Sequence, residues 1–563
     1  MGQVLQKPIS RHKAANLSST SLSKGAMGCL AAILGAAVST VPHAASALNL
    51  YNGFADGNGV QVNLQTTLSW TPIVRVAHPS ATLTGKNAPN LTGNTNGNQG
   101  DLDFQHGLVS SQFEALEVLD IKDGPYGAHI SGEGYVNTSF LGKNQNEESA
   151  ATYNPISTPS NRDFTSATRN ANGVNARLLD AFVYGNQQFN DGNSLVSLKF
   201  GRQTLLWGQS LFFSGNGIAA GMAPIDVVLA QNTPNAQTQQ IILPVGQAVL
   251  TYQINPTYTL QGYYQFEWAP DYLQGVGSYF STTDVLDKGG QRLLLAPYFG
   301  IGRTKDTRPP VGNGQFGLSL QATYGNYDVG LFGLRYDSKA PALYLSSRFS
   351  SYSLVYPRDI YIEGASVSTT VGPVNVAGEL SFRQHMNLVT GANPSATNNV
   401  NGSPAYPVGD TMAGQVSAIY VSPGIPLDPA GLSIAAEVAF NHLLKVTDNK
   451  AALDPNASDP LHRSNTAAQF QGTVTPQYLD VFPHLNVTIP VGIGYDFYGR
   501  SKIDSTENNG TGFVNIGVTA TYKAVYSASI TYNQYIGAAN TGLQGESQLA
   551  DRSYVIGSVQ YTF

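Results

Sequence analysis

The chain of 563 residues is 42% hydrophobic and only 12% charged, and it contains 59 Gly, 30 Tyr and 23 Phe. Charged residues make up about a quarter of an ordinary globular protein, and soluble helices need Glu, Lys, Ala and Leu on their exposed faces, so this composition disfavours a helical cytosolic enzyme. The 30 basic and 36 acidic residues give a net charge of −6 with no basic run, which disfavours a nucleic-acid binder.

Residues 1–47 have the pattern of a secretory signal peptide. All of their charges are basic, an apolar stretch covers 26–41, and small residues at 45–47 follow it. That stretch is shorter than the roughly 20 residues that a membrane-spanning helix needs. Cys29 lies at the start of the stretch, whereas a lipidated Cys lies at its end, so we expect an ordinary signal-peptide residue. Cleavage after residue 47 would leave 48–563 as the mature chain.

The mature chain alternates apolar and polar residues over many short segments. Val374, Val376, Leu380 and Phe382 share one parity of such a segment, and the other parity is mostly polar. A period of two is typical of β-strands that have one apolar face. A soluble β-sandwich shows the same alternation. Further segments with this pattern lie at 60–70, 260–268, 316–324 and 433–441.

The lengths of the connections separate these two β architectures. Short turns rich in Gly, Pro, Asn and Asp alternate with long polar segments almost throughout the chain. Outer-membrane barrels have short periplasmic turns and long extracellular loops, so we predict an all-β, transmembrane antiparallel β-barrel over 48–563, with about 18 strands and 16 as the alternative. The long connections are predicted at 76–107, 141–175, 202–246, 269–314, 339–358, 387–410, 445–465, 499–511 and 536–552.

The C-terminus carries a second feature of this class. Tyr561 and Phe563 share the apolar parity of the last segment, and the chain ends on Phe563. This ending is similar to the signal that the barrel assembly machinery of Gram-negative bacteria reads; the alternative is an edge strand that ends on Phe by chance. Together with the signal peptide, it predicts a cell outer-membrane location among lipid and lipopolysaccharide. The oligomeric state stays open.

One long connection, 202–246, is unusually apolar for a loop in water. Long loops without regular structure are usually functional, so we predict that this one folds into the barrel and narrows it. The alternative is that its aromatic residues anchor a strand end at the membrane interface. The candidate constriction residues are Arg202, Trp207, Phe212, Phe213 and Asp226.

Charged residues on the polar parity of the strands are predicted to face the lumen, because a charge that faces lipid costs about 2–4 kcal/mol at the bilayer midplane. Charges of both signs could orient polar solutes by a transverse field. Alternatively, they pair across strands and solvate the interior. The candidates are Glu133, Lys199, Glu379, Arg383, His385 and Glu437, together with His129.

No motif of covalent or metal chemistry stands out. The Ser at 210 lacks the strand-to-helix elbow of a hydrolase, and there is no His-Glu-x-x-His sequence. Acidic groups near 448–459 and 504–507 could bind Ca²⁺ loosely, but hydrated loop charge is the expected state. We therefore expect no enzyme, cofactor or metal, and a membrane-embedded enzyme is kept only as a minor alternative.

An ordered series of motifs in 179–268 resembles the proteobacterial outer-membrane family known as domain-of-unknown-function family 1302. The resemblance implies an outer-membrane barrel for uptake of poorly soluble organic compounds. With the absence of an N-terminal plug domain, it predicts a passive channel or uptake protein for small, hydrophobic or weakly polar solutes; a general porin without preference is the alternative. The motifs are Leu179-Asp180-Ala181-Phe182, Gly201-Arg202-Gln203, Trp207-Gly208-Gln209-Ser210, Pro224-Ile225-Asp226-Val227, Leu243-Pro244-Val245 and Tyr264-Gln265-Phe266-Glu267-Trp268.

Overall fold

A computed structural model of the chain describes residues 48–52, 59–85, 95–147, 156–158, 160–233, 238–286, 288–296, 299–310, 314–346, 350–389, 406–422, 431–453, 463–540 and 544–563. The predicted signal peptide, 1–47, and Cys29 lie outside these residues. The strands are β1 (Leu48–Asn52), β2 (Gln61–Arg75), β3 (Gly107–Asp123), β4 (Tyr126–Asn137), β5 (Val174–Phe189), β6 (Ser194–Gln203), β7 (Val245–Gln253), β8 (Tyr258–Gln265), β9 (Arg292–Ala296), β10 (Phe299–Arg303), β11 (Gln315–Tyr324), β12 (Tyr327–Tyr336), β13 (Ala342–Leu345), β14 (Ser351–Val355), β15 (Ile360–Val371), β16 (Val374–Asn387), β17 (Val408–Ser422), β18 (Gly431–Asp448), β19 (Thr466–Phe482), β20 (Leu485–Thr488), β21 (Val491–Tyr498), β22 (Gly512–Tyr522), β23 (Tyr526–Ile536), β24 (Ala538–Ala539), β25 (Glu546–Ser547) and β26 (Tyr554–Thr562).

The helices of the described residues are short. The α-helices are α1 (Ala81–Thr84), α2 (Gln99–Asp103), α3 (Ser166–Thr168), α4 (Val227–Asn232), α5 (Thr238–Ile241) and α6 (Lys450–Leu453), with 3₁₀ turns at Thr138–Phe140, Asn190–Gly192 and Ile218–Gly221 and a π turn at Arg169–Gly173. None of the helices in this part of the chain is long and apolar enough to cross a membrane.

The main sheet is a closed antiparallel barrel. Of its 20 strand segments, β1 only extends the edge of β2, and β20 and β21 are two parts of one wall strand because both pair with β19 and β22. The ring therefore has 18 strands, as predicted. It closes between β2 and β26, where Ser69 lies opposite Gln560.

The strand ends agree closely with the predicted connections. For example, β2 ends at Arg75 and β3 begins at Gly107, around the predicted segment 76–107. Short turns lie at one rim of the barrel, the short-turn rim, and long connections at the other, the long-loop rim. β1 was not predicted, since the alternating pattern begins only near Val60.

The two faces of the wall have opposite polarity. On β16, Leu380 on the outer face is 51% exposed, whereas Glu379 on the inner face is 7% exposed. An apolar outer surface is stable only against lipid, and closure pairs every backbone group of the wall. The fold is thus that of an outer-membrane barrel, with its polar side chains directed inward.

The wall differs in height around the ring. β6, β7, β8 and β11 have 10, 9, 8 and 10 residues, whereas β3, β18 and β19 have 17, 18 and 17. Beyond the long-loop rim, β9, β10, β13 and β14 form a separate four-stranded sheet. The long connections therefore build an ordered layer over this end of the barrel.

A buried ion-pair cluster holds part of this layer to the wall. Arg552 donates to both carboxylate oxygens of Asp101 at 3.0 and 2.8 Å, and Arg75 pairs with Asp101 at 3.0 Å and with Asp551 at 3.4 Å. The side chains of both arginines are fully buried. Paired guanidinium groups with further carbonyl acceptors satisfy the requirement that buried charge be compensated.

Candidate functional site

Between β6 and β7, the described residues 204–233 and 238–244 lie in the barrel interior. We call these residues the lumen segment. Trp207, Phe212, Phe213 and Met222 are at most 4% exposed, and the segment contacts the inner faces of both β3–β5 and β16–β18. These two groups of strands lie half-way around the ring from each other, so the segment spans the lumen, as predicted for 202–246.

On the β16–β18 side, Glu437 holds the segment by its backbone. Its two carboxylate oxygens accept hydrogen bonds from the amides of Leu211 at 3.0 Å, Phe212 at 2.5 Å and Phe213 at 2.9 Å. Hydrogen bonds to an ionised acceptor are stronger than neutral ones. The side chains of the same three residues pack on Ala435 and Ala439 of β18.

Glu379 and Arg383 of β16 act on the neighbouring part of the segment. Glu379 accepts from the amides of Gln209 and Ile218, each at 2.6 Å. Arg383 donates to the carbonyl of Gly217 at 2.9 Å. Of the four charge candidates predicted on this side, Glu379, Arg383 and Glu437 face inward, and the lumen segment covers all three. Arg383 is only 2% exposed, and a role of these charges in orienting solutes stays a prediction.

A glycine lets the segment come this close to the wall. Gly208 has a φ of +97°, and a Cβ at this position would collide with the carboxylate of Glu379. A positive φ strains any residue with a side chain. Two independent constraints therefore exclude other residues from position 208.

On the β3–β5 side, side chains hold the segment. Arg177 of β5 pairs with Glu133 of β4 at 2.5 Å and also with Asp226 of the segment. Asp226 in turn caps α4, since it accepts from the amide of Leu229 at 2.7 Å. Asp226 is fully buried, and a buried carboxylate requires such a partner.

Gln240, near the end of the segment, completes this network. Its amide nitrogen donates to Glu133 at 2.9 Å and to Glu114 of β3. Gln112 donates to the other oxygen of Glu114 at 3.0 Å. Sequence analysis found Glu133 and Asp226 but missed Arg177, Glu114 and Gln240. Arg177 lies two residues before the Leu179 motif on a predicted strand, so the parity of that strand could have indicated that Arg177 faces the lumen.

An apolar cluster holds the start of the segment against the shorter wall. The Trp207 ring lies 5.0 Å from that of Tyr263 and 5.8 Å from that of Phe332, and its Nε1 donates to Gln261 at 2.6 Å. The other buried residues of this cluster are Ile218, Met222, Val249, Leu334, Tyr336, Ile360 and Ile362. Trp207 thus faces the interior rather than the membrane interface.

Lys339 is an anchor that sequence analysis did not identify. It follows β12, and its Nζ donates to the carbonyl of Gly221 at 2.7 Å and to Gln315 at 3.0 Å. Burial lowers the pKa of Lys339 to about 8, and the carboxylates of Asp271 and Asp337 oppose that shift. Its position in a long connection offers no periodicity from which to infer this contact.

Arg202, predicted as a constriction residue, lies instead at the base of the segment. It pairs with Glu267 and donates to the carbonyl of Pro244 at 3.0 Å. Glu267 accepts from the amide of Gly246 at 2.7 Å. Arg202 therefore joins the two points at which the segment leaves and rejoins the wall.

Three other predicted residues do not touch the segment. Lys199 is exposed on β6, with its Nζ 5.4 Å from the centre of the Phe182 ring, and His129 bonds to Asp120 at 2.6 Å. The prediction that His385 faces the lumen is wrong. His385 is exposed, and its ring packs on Tyr361 of the outer face. A β-bulge between Arg383 and Met386, with a φ of +58° at His385, reverses the expected parity.

The predicted assembly residues lie at the short-turn rim. Phe563 exchanges two backbone hydrogen bonds with Thr66, at 2.8 and 2.9 Å, and the rings of Tyr561 and Phe563 stack at 4.9 Å. Their recognition by assembly machinery stays a prediction.

Within the described part of the chain, no group of three or more His, Cys, Asp or Glu side chains could hold a metal ion.

A comparison with protein families shows which family the chain belongs to. Residues 26–563 match the family described as Protein of unknown function (DUF1302). The chain belongs to this family. No curated protein matches the chain.

Several solved outer-membrane channels are similar in fold to this DUF1302 chain at low identity. OccAB1 of Acinetobacter baumannii is 10% identical, with a TM-score of 0.41, over 92% of this chain and 99% of that one. DcaP of Acinetobacter baumannii is 11% identical, with a TM-score of 0.35, over 91% and 100%. Salmonella typhi OmpF in complex with daunomycin is 10% identical, with a TM-score of 0.37, over 92% and 100%.

Proposed function

We propose that this protein is a passive channel or uptake protein of the Gram-negative outer membrane, for small hydrophobic or weakly polar organic compounds. The observation that carries the proposal is the lumen segment, which joins opposite walls of the barrel through Glu437 on one side and Arg177 on the other. A segment held across a barrel controls what passes it. The concentration gradient drives movement, and no cofactor takes part.

The expected solute class rests on the resemblance of residues 179–268 to family 1302 and on the apolar composition of the lumen segment. Trp207, Phe332 and Met222 belong to one apolar cluster that is buried beside the crossing point. A general porin would need an open, hydrated lumen at this level, which such a cluster does not favour.

The remaining parts of the proposal concern export and insertion. Residues 1–47 direct export and are removed, and Tyr561 and Phe563 are read by the barrel assembly machinery. The mature barrel then lies among lipid and lipopolysaccharide, with the long-loop rim outside and the short-turn rim in the periplasm.

Single-channel conductance in planar bilayers tests the proposal. Residues 211–221 are replaced by a four-residue Gly-Ser linker, and we expect conductance to rise by about twofold or more, with loss of preference for apolar solutes, because the crossing is shortened. The matched control replaces 391–401, an equal length of another predicted loop, by the same four-residue linker. Unchanged conductance in a lumen-segment variant that still inserts and shows heat-modifiable migration would contradict the proposal.

A further inference from the structure

A cavity of about 1160 Å³ opens in the layer beyond the long-loop rim. We call it the outer cavity. One of its sides is the stretch 303–308, which follows β10, and the other carries Gly290, Gln291, Ile156 and Ser157. A volume of this size accommodates a small organic molecule together with water.

The backbone around the outer cavity is fixed by hydrogen bonds. The amides of Thr304 and Thr307 donate to the carbonyls of Tyr352 at 2.7 Å and Leu354 at 2.8 Å. The side chain of Gln291 accepts from the amides of Ile156 at 2.7 Å and Ser157 at 2.9 Å. Side chains that project from an ordered frame bind a ligand with less loss of conformational entropy.

The charge of the outer cavity is positive, although the whole chain carries −6. Arg303 and Asp306 neutralise each other through two hydrogen bonds, at 3.1 and 2.8 Å. Lys305 and Arg308 are exposed, and neither forms an ion pair with any carboxylate among the described residues. Two uncompensated cations therefore line this space.

Further cations continue from the outer cavity toward the lumen segment. Lys288, two residues before Gly290, lies within electrostatic range of Arg308, and its Nζ is 3.3 Å from the centre of the Tyr272 ring. Arg177 lies 5.2 Å from the centre of the same ring, and it holds Asp226 of the lumen segment. Lys288 and Tyr272 therefore lie between the outer cavity and the Arg177–Asp226 pair of the lumen segment.

We propose that the outer cavity binds the carboxylate of a small organic acid through Lys305 and Arg308 before the molecule enters the channel. Lysine and arginine are the usual partners of carboxylates, and a positive recess raises the local concentration of anions. This inference rests on the proposed function and extends its solute class to organic acids with an apolar body. The oxyanion could also be a phosphate of lipopolysaccharide, and the test separates these two sources.

The test measures binding of benzoate to detergent-purified, lipopolysaccharide-free protein by saturation-transfer NMR, with benzyl alcohol as the neutral analogue. We expect benzoate to bind the wild type, and the double variant Lys305→Gln, Arg308→Gln to bind it about tenfold more weakly, because two charge-assisted contacts are lost. The control variant Lys502→Gln, Lys523→Gln removes the same charge elsewhere and should bind as the wild type does. Added salt should weaken benzoate binding and leave benzyl alcohol unaffected.

Three outcomes would overturn the inference. The wild type and the cavity variant bind benzoate equally, or the wild type binds benzoate and benzyl alcohol equally. In the third outcome, purified lipopolysaccharide binds through Lys305 and Arg308 while benzoate does not bind. The last outcome assigns the cavity to a lipid phosphate. Binding of benzoate in detergent requires no open channel. A negative result in this experiment therefore contradicts the inference about the outer cavity, whereas unchanged conductance of the lumen-segment variant contradicts the proposed function.

Discussion

The two walls that hold the lumen segment do so by different chemistry. On β16–β18, Glu379 and Glu437 accept hydrogen bonds from backbone amides. On β3–β5, Arg177 and Glu133 bind the side chains of Asp226 and Gln240. Every residue except proline has an amide, so the first attachment depends on the path of the backbone, whereas the second depends on residue identity.

This difference predicts which substitutions release the segment. Along 209–218, the amide bonds to Glu379 and Glu437 do not themselves depend on side-chain identity, although Leu211, Phe212 and Phe213 also pack on β18 and a Cβ at position 217 would meet Glu379. At Asp226 and Gln240, a change of side chain removes the attachment itself. In both cases, loss of the wall residue leaves buried polar groups without a partner, which costs about 1–3 kcal/mol for each neutral group and more for a charged one.

The largest effect is expected at Arg177. Arg177→Met leaves Glu133 and Asp226 buried without their cation, which should destabilise the native state by about 3–5 kcal/mol and free this end of the segment. The measurement is the temperature at which the folded, fast-migrating band is lost in gels. Lys199→Met is the control, since Lys199 does not touch the segment. Equal temperatures for the two variants would argue against the side-chain attachment.

A smaller effect is expected at Glu437. Glu437→Ala removes the acceptor of three amides and should destabilise the segment by about 2–4 kcal/mol, with higher single-channel conductance. Glu437→Gln keeps one acceptor oxygen and should lie between the wild type and the alanine variant. If the glutamine variant conducts as the alanine variant does, the charge rather than the amide contacts holds this wall.

Gly208 tests the dependence on the backbone path. Gly208→Ala adds a Cβ at a φ of +97° against the Glu379 carboxylate, and we expect about 1–3 kcal/mol of destabilisation, measured by the same gel transition. Gly333→Ala is the control because nothing lies within 4 Å of its Cβ position. A loss of stability no greater than that of the control would show that the backbone can shift away from Glu379.

The smallest effect concerns pH and Lys339. The pKa of Lys339 is 10.5 in the unfolded state and about 8 in the folded state, so the folded state binds fewer protons between pH 8 and 10.5. The free energy of unfolding should therefore rise by about 1–3 kcal/mol as the pH increases from 8 to 10. Lys339→Gln keeps a donor for Gly221 and should lose that rise. The difference between wild type and variant across this range is the measurement; parallel pH curves would exclude Lys339 as the source.

The period-two alternation and the turn residues determined the barrel and the ends of most of its strands, because both are local properties of the chain; they left 16 strands as an alternative to the 18 that the structure has. The same alternation determined that Glu133, Glu379, Arg383 and Glu437 face inward. It could not determine β1 or the orientation of His385, where the alternating pattern is absent or a bulge breaks it.

Only the tertiary structure decided what those inward charges bind. Glu437 meets the amides of Leu211 to Phe213 across more than 220 residues of sequence, and Arg177 of β5, the strand that pairs with β6, meets Asp226 within the segment. The apolar residues of the segment indicated that it leaves water, but no local pattern records where it crosses the lumen. The partners follow from closure of the barrel, which brings strands distant in sequence around one common interior.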